Sequence, residues 1–138
     1  MQTELSLPKR GVELEELNAG LEVLSLTEFL RWSLDTFGEK IAHVTSFGPS
    51  GVVILDHVLR LKPNTRVITL DTQFLFEETY DLWQNIERRY AIGIEVIRPE
   101  LSPEEQARQY GANLWELEPD NCCGIRKVQP LAKALSGL

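Results

Sequence analysis

Between Ile41 and Leu61 a β-rich run, Ile-Ala-His-Val-Thr-Ser-Phe, enters the punctuation Gly48-Pro49-Ser50-Gly51 and leaves as an apolar pattern at helical spacing. That succession predicts strand, tight loop and helix without intervening residues, the unit from which layered α/β folds are built. Such a loop is an anion cradle: Gly48 and Gly51 allow close backbone approach, Ser46 and Ser50 offer hydroxyls, and the helix presents unpaired N–H groups and a positive dipole end. Ordinary connections in α/β proteins share this composition, so a plain turn and a nucleotide or sulfate cradle both stay open at this point.

The pattern then repeats. Pro63-Asn64-Thr65 marks a turn, Arg66 to Leu70 a short strand ending on Asp71-Thr72, Glu77 to Tyr90 a helix with the stripe Tyr80, Leu82, Trp83, Ile86 and Tyr90, and Ile94 to Ile97 a third strand. Ser102-Pro103-Glu104-Glu105 reads as a helix start, with a cap, Pro at the first position and early acids. Two strands joined through a helix predict a parallel pair with a right-handed crossover. Ligands of open α/β sheets sit beyond the carboxyl ends of the strands. The loop from Ser46 through Phe47 to Gly48 and the segment Leu70-Asp71-Thr72 are therefore expected to border one crevice, although Asp71 also suits a loop residue or helix cap.

Upstream, Ser25 and Glu28 have capping-box spacing, and Phe29, Leu30, Trp32, Ser33, Leu34 and Phe37 predict a helix packed on the sheet, with Trp32 and Phe37 in the core. Residues 1–24 are acidic and mixed and read as an N-terminal arm, with a short helix around Val12 to Leu17 that Gly20 ends; residues 25–138 read as one domain. The net charge of −7 argues against nucleic-acid and anionic-membrane surfaces, which are bound through clustered Lys and Arg. Any anionic ligand is then held locally. No apolar run approaches membrane-spanning length and Met-Gln-Thr-Glu lacks a signal pattern, so a soluble cytoplasmic protein is expected.

The two cysteines, Cys122 and Cys123, are adjacent, which leaves no separated pair to staple the fold. They stand at the expected start of a helix with Arg126 and Lys127 one turn on, and the dipole and both cations favour thiolates that bind metal. Partly buried structural thiols and a vicinal disulfide are the alternatives. Zinc suits them less, since its sites space cysteines two to four apart and no further cysteine is present. His43 and His57 are read as packed or surface residues.

Taken together, these residues resemble the assimilatory sulfonucleotide reductases, in particular the iron–sulfur type of adenylyl-sulfate (APS) reductase. The resemblance runs from about Ser25 to Leu138. It is carried by Thr45-Ser46-Phe47-Gly48, by Leu70 to Tyr80, by Pro103-Glu104-Glu105-Gln106 with Gly111 and Asn113-Leu114-Trp115-Glu116, and most specifically by Cys122-Cys123-Gly124-Ile125-Arg126-Lys127-Val128-Gln129-Pro130-Leu131. It implies a Rossmann-like three-layer fold with a mainly parallel sheet, of the adenine-nucleotide alpha-hydrolase type. Cys122 and Cys123 would be ligands of a 4Fe–4S cluster together with a later Cys-x-x-Cys pair. Lys127 would link cluster and substrate electrostatically, with Arg126 beside it in the substrate site. The loop of Ser46, Phe47, Gly48, Ser50 and Gly51 would hold the phosphosulfate, and Leu70, Asp71 and Thr72 would meet the adenosine.

The resemblance further implies an enzyme that attacks the sulfate sulfur with a cysteine thiolate, releases AMP, and yields sulfite when thioredoxin or glutaredoxin resolves the intermediate. Family members carry that cysteine in a Glu-Cys-Gly-Leu-His tail, which these 138 residues do not contain. The chain is therefore expected to be the N-terminal part of such an enzyme, inactive alone, unable to retain the cluster alone, and a homo-oligomer when complete. The alternatives are the 3′-phosphorylated substrate PAPS, against which the Cys-Cys pair argues, and a non-catalytic adenine-nucleotide-binding module. An ATP pyrophosphatase of similar fold would show Ser-Gly-Gly-x-Asp-Ser at the first loop, which Ser46 to Gly51 does not match.

Overall fold

The computed structural model describes residues 11–138, with side chains from Leu14 onward. Helix α1 spans Gly11–Glu22. It continues through Gly20 instead of ending there. The remainder of the expected arm, residues 1–10, lies outside the described residues. Helix α2 (Leu26–Phe37) starts with the expected capping box: the Ser25 N–H donates to Glu28 Oε2 at 2.8 Å and the Glu28 N–H to Ser25 Oγ at 3.3 Å. Both satisfy donors that a helix end leaves without a partner.

Three strands, β1 (Ala42–Val44), β2 (Arg66–Leu70) and β3 (Glu95–Ile97), form one sheet in the order β1-β2-β3. Both pairs are parallel, with His43 beside Val67 and Thr69 beside Val96. Helices α3 (Pro49–Leu61) and α4 (Glu77–Tyr90) make the two crossovers. Right-handed connections running one way across a sheet put both helices on one face. The core confirms this, since Leu55 and Leu59 of α3, Val67 of β2, and Trp83 and Ile86 of α4 bury together with Phe47 and Ile94. This is the α/β class with a parallel sheet that the alternation of elements predicts.

Three expectations need correction. The first strand is shorter than residues 41–47. Thr45 still donates its N–H to Ile68 O at 3.0 Å, but Phe47 turns the chain at φ 66° and buries its ring against Trp83, centroids 6.0 Å apart. Helix α2 packs on α3 through Leu30 and Leu34 against Val58, and its Leu30, Ser33 and Leu34 share a small cavity with Ala42 and His43 of β1, as expected of a helix on the sheet. Its aromatic face is not fully buried: Phe29 and Phe37 are each 39% exposed, and Trp32, half-buried, lies between them with ring centroids 6.3 and 6.0 Å away. In α4, Leu82 is likewise exposed while Trp83 and Ile86 are buried.

Beyond β3 the chain is helical: α5 (Pro103–Tyr110), α6 (Leu114–Leu117), α7 (Pro119–Cys123), a π-helical turn (Gly124–Val128) and α8 (Gln129–Leu135). Helix α5 opens with a second capping box, Ser102 with Glu105. The last three segments run on without a break, and α8 touches β3. No helix of the described residues is long and apolar enough to cross a membrane.

Candidate functional site

The parallel pairing of β1 and β2 puts the loop after each strand at the same edge of the sheet, as expected of a crevice at strand carboxyl ends. The first loop is bonded to strand β2 by Thr69 Oγ1, which donates to Thr45 O at 2.8 Å. In the first loop, Thr45 Oγ1 accepts the Phe47 N–H at 3.0 Å, and this local bond holds the turn. Gly48 caps α3 and Pro49 is its first residue. Val52 is the first residue whose N–H returns to the loop, to Gly48 O at 3.0 Å, so Ser50 and Gly51 present the N–H groups that a helix start leaves for a ligand.

The glycines here differ in what they contribute. A Cβ on Gly51 would lie 2.8 Å from Thr45 Oγ1, so only glycine lets the loop close on the helix, whereas a Cβ on Gly48 meets nothing within 4 Å. Ser46 and Ser50 are exposed. Phe47 is 5% exposed, and its side chain belongs to the core; only its backbone is offered to the crevice. His43 Nε2 lies 3.1 Å from Gly51 O, and His57 Nδ1 lies 3.5 Å from Thr27 Oγ1, packing roles of the kind expected for both.

In the second loop, Leu70 is half-buried and Asp71 and Thr72 are buried. Asp71 Oδ1 accepts from Tyr80 Oη at 2.7 Å and from the Gln73 N–H at 3.0 Å, while Oδ2 faces Arg98 Nε at 3.2 Å. Burial opposes ionisation, but these three donors outweigh it and hold the Asp71 carboxyl below its ordinary range. Burial and the neighbouring Asp71 carboxylate push the Tyr80 hydroxyl up, against a smaller opposing effect of Arg98. Asp71 thus organises the loop from within, and Arg98 and Tyr80 are members of the site that the sequence does not advertise: one follows a strand, the other sits in a helical stripe read as apolar.

The cysteines lie at the end of α7, one turn inside the helix and not at its first residue. Both are free thiols, Cys122 buried and Cys123 exposed. The π-helical turn that follows is a distortion often found at functional sites. It places Arg126 inward and leaves Lys127 exposed. Arg126 is 1% exposed. Its Nε donates to Thr72 O at 2.7 Å, Nη1 to Leu101 O and to Gln106 Oε1, each at 3.1 Å, and Nη2 to Gln73 Oε1 at 3.0 Å. The guanidinium also lies 5.0 Å from the centroid of the Phe74 ring. Four of the five N–H directions of a guanidinium are therefore taken by protein acceptors.

Through Arg126 the Cys122–Lys127 segment is fastened to the loop after β2. Between them is a cleft of about 560 Å³ whose lining includes Thr72, Phe74, Trp115, Cys122, Cys123 and Lys127. The residues Ser46 to Gly51 do not line this cleft. Among the described residues no group of three or more His, Cys, Asp or Glu side chains is placed to hold a metal ion. Since a 4Fe–4S cluster takes four thiolates, the adjacent thiols fit half of its ligand set.

Residues 40–138 match the family model described as the phosphoadenosine phosphosulfate reductase domain. Among curated proteins, an adenosine 5'-phosphosulfate reductase of Halalkalibacterium halodurans is 40% identical over 126 residues, covering 91% of this chain and 54% of that protein. Adenosine 5'-phosphosulfate reductase 2 of Bacillus subtilis is 41% identical over 118 residues, with 85% and 50% covered. A crystal structure of phosphoadenylyl-sulfate (PAPS) reductase from Candida auris in a phosphate complex superimposes with a TM-score of 0.82 at 34% identity, covering 96% of this chain and 65% of that one. The chain spans about half the length of the curated relatives it matches.

Proposed function

The chain belongs to the phosphoadenosine phosphosulfate reductase domain family, and from that membership we propose that it forms the nucleotide crevice of an enzyme reducing adenylyl sulfate to sulfite and AMP in sulfate assimilation. The observation that carries the proposal is the fastening of the cysteine segment to the loop after β2, Arg126 Nε to Thr72 O at 2.7 Å. It brings two thiols, an exposed lysine and the loop after β2 to one cleft. The N–H groups of Ser50 and Gly51, with the hydroxyls of Ser46 and Ser50, would take the phosphosulfate, and the backbone from Leu70 to Thr72 would meet the adenosine.

Cys122 and Cys123 would supply two thiolate ligands of an iron–sulfur cluster of the 4Fe–4S type. When bound, the cluster would supply a fixed local charge in the cleft that Cys122 and Cys123 line. Lys127 would place its ammonium between that charge and the substrate, offsetting the negative charge of both sulfonate and phosphate. Arg126 acts at one remove, by holding the loop and the cysteine segment in register.

In the reaction, a cysteine thiolate from another part of the polypeptide attacks the sulfate sulfur. A sulfur–sulfur bond forms, the bond from that sulfur to the bridging oxygen breaks, and AMP departs with the electron pair on its phosphate. A dithiol of the thioredoxin or glutaredoxin kind then attacks the cysteine sulfur, releasing sulfite and becoming a disulfide after its second thiolate displaces the enzyme. AMP, APS and a cytoplasmic dithiol reductant are thus the partners assigned to the site. The relatives named for adenosine 5'-phosphosulfate favour APS over PAPS.

The test is anaerobic assay of the full polypeptide that carries this chain, with thioredoxin and either APS or PAPS. Sulfite and AMP in equal amounts from APS, together with bound iron and sulfide that Cys122→Ser removes, are expected. No sulfite from APS, or the same rate with PAPS, contradicts the assignment.

A further inference from the structure

Gln106 is the only buried residue of α5 and is 3% exposed. A polar side chain in that position is costly unless both ends of its amide are bonded. Both are. Its Oε1 accepts from Arg126 Nη1 at 3.1 Å and its Nε2 lies 3.6 Å from Cys122 Sγ. The amide's orientation follows from chemistry: a guanidinium only donates, so the atom facing Arg126 must be oxygen, and the NH2 group must face the sulfur. Arg126 is itself fixed by Thr72 O, Leu101 O and Gln73 Oε1, so it cannot yield to a reversed amide.

From this geometry we infer that Gln106 is a positioning residue for Cys122, donating a hydrogen bond to its sulfur and thereby fixing the rotamer in which the thiolate meets a metal. Cys123, exposed and with no such donor among the described residues, is left adjustable. The asymmetry suits a pair of adjacent ligands, of which one must be anchored while the other swings to complete the coordination. Partners of metal ligands generally act this way, orienting the ligand and tuning its electron density. The inference rests on the reading of Cys122 and Cys123 as metal ligands, but the bond itself does not.

Two measurements separate them. In the ¹⁵N-labelled chain, the Gln106 side-chain amide signals are expected to be resolved and slow to exchange, to move in Cys122→Ala, and to stay in place in Cys123→Ala. Signals that ignore Cys122→Ala overturn the inference. In the second measurement, Cd²⁺ is titrated into the reduced chain and followed by thiolate charge-transfer absorption. Gln106→Leu, with a cooperative urea transition as the check on folding, is expected to bind Cd²⁺ about 10-fold more weakly, and binding equal to the unsubstituted chain overturns the inference. Failure of the unsubstituted chain to take up Cd²⁺ contradicts the metal-ligand reading instead, and the amide signals then decide alone on the positioning bond.

Discussion

Arg126 Nε stands 2.7 Å from the carbonyl oxygen of Thr72, a residue 54 positions earlier in the chain. This single bond converts two sequence motifs into one site. It also separates the two cations of the Arg-Lys step: Arg126 is buried in the architecture, and Lys127 is exposed on the cleft wall.

Arg126→Lys keeps a positive charge but cannot fork to Thr72, Leu101, Gln106 and Gln73 at once. Breaking a buried charged network of this kind costs about 2–4 kcal/mol. Urea unfolding is expected to register that loss, and hydrogen exchange at Gln73 and Phe74 to accelerate. An unchanged midpoint would mean that the network is not needed to hold the loop.

Asp71 sets a pH dependence whose sign follows from its depressed carboxyl. A folded-state pKa below the unfolded one means that the stabilisation is complete above the unfolded value, about 3.9 for an aspartate, and is lost as pH falls through the folded value. Stability should therefore decline below about pH 4, and Asp71→Asn should flatten that limb while costing about 1–3 kcal/mol at neutral pH. Urea midpoints of both proteins from pH 7 downward provide the comparison; parallel curves would contradict the assignment.

The glycines of the first loop should respond oppositely. Gly51→Ala forces Thr45 Oγ1 away from a contact at 2.8 Å and should destabilise by about 1–3 kcal/mol. Gly48 has φ −64° and caps α3 without a side-chain bond, so Gly48→Ser supplies one and should hold or raise thermal stability. If the phosphosulfate approaches this backbone, Gly48→Ser should still weaken AMP binding. Thermal melts read the first effect and calorimetric titration the second.

Much of this fold can be read directly from sequence where punctuation and periodicity agree. Strand β2 lies between Pro63-Asn64 and Asp71-Thr72, and α4 between an acidic start and paired arginines, and both were found at the expected bounds. The misses at the site share a cause, a side chain whose partner is remote. Phe47 adopts a positive φ because its ring is needed against Trp83, which no local pattern announces. Arg126 reads as a site cation and not as a structural anchor, and Arg98 and Gln106 carry no strong structural signal, until acceptors 53, 27 and 16 positions away come within bonding distance. For Gln106 a faint signal existed: α5 has a capped start and no aliphatic residue larger than Ala107 to bury, so its inward position had to be polar or aromatic.

The most direct test of the crevice is a titration of the ¹⁵N-labelled chain with AMP, followed at the backbone amides. The account predicts weak, saturable binding with the largest shifts at Ser50, Gly51 and Leu70 to Thr72, reduced in Lys127→Ala without loss of fold stability. Saturable shifts confined to the opposite edge of the sheet, or none at any AMP concentration, would contradict it.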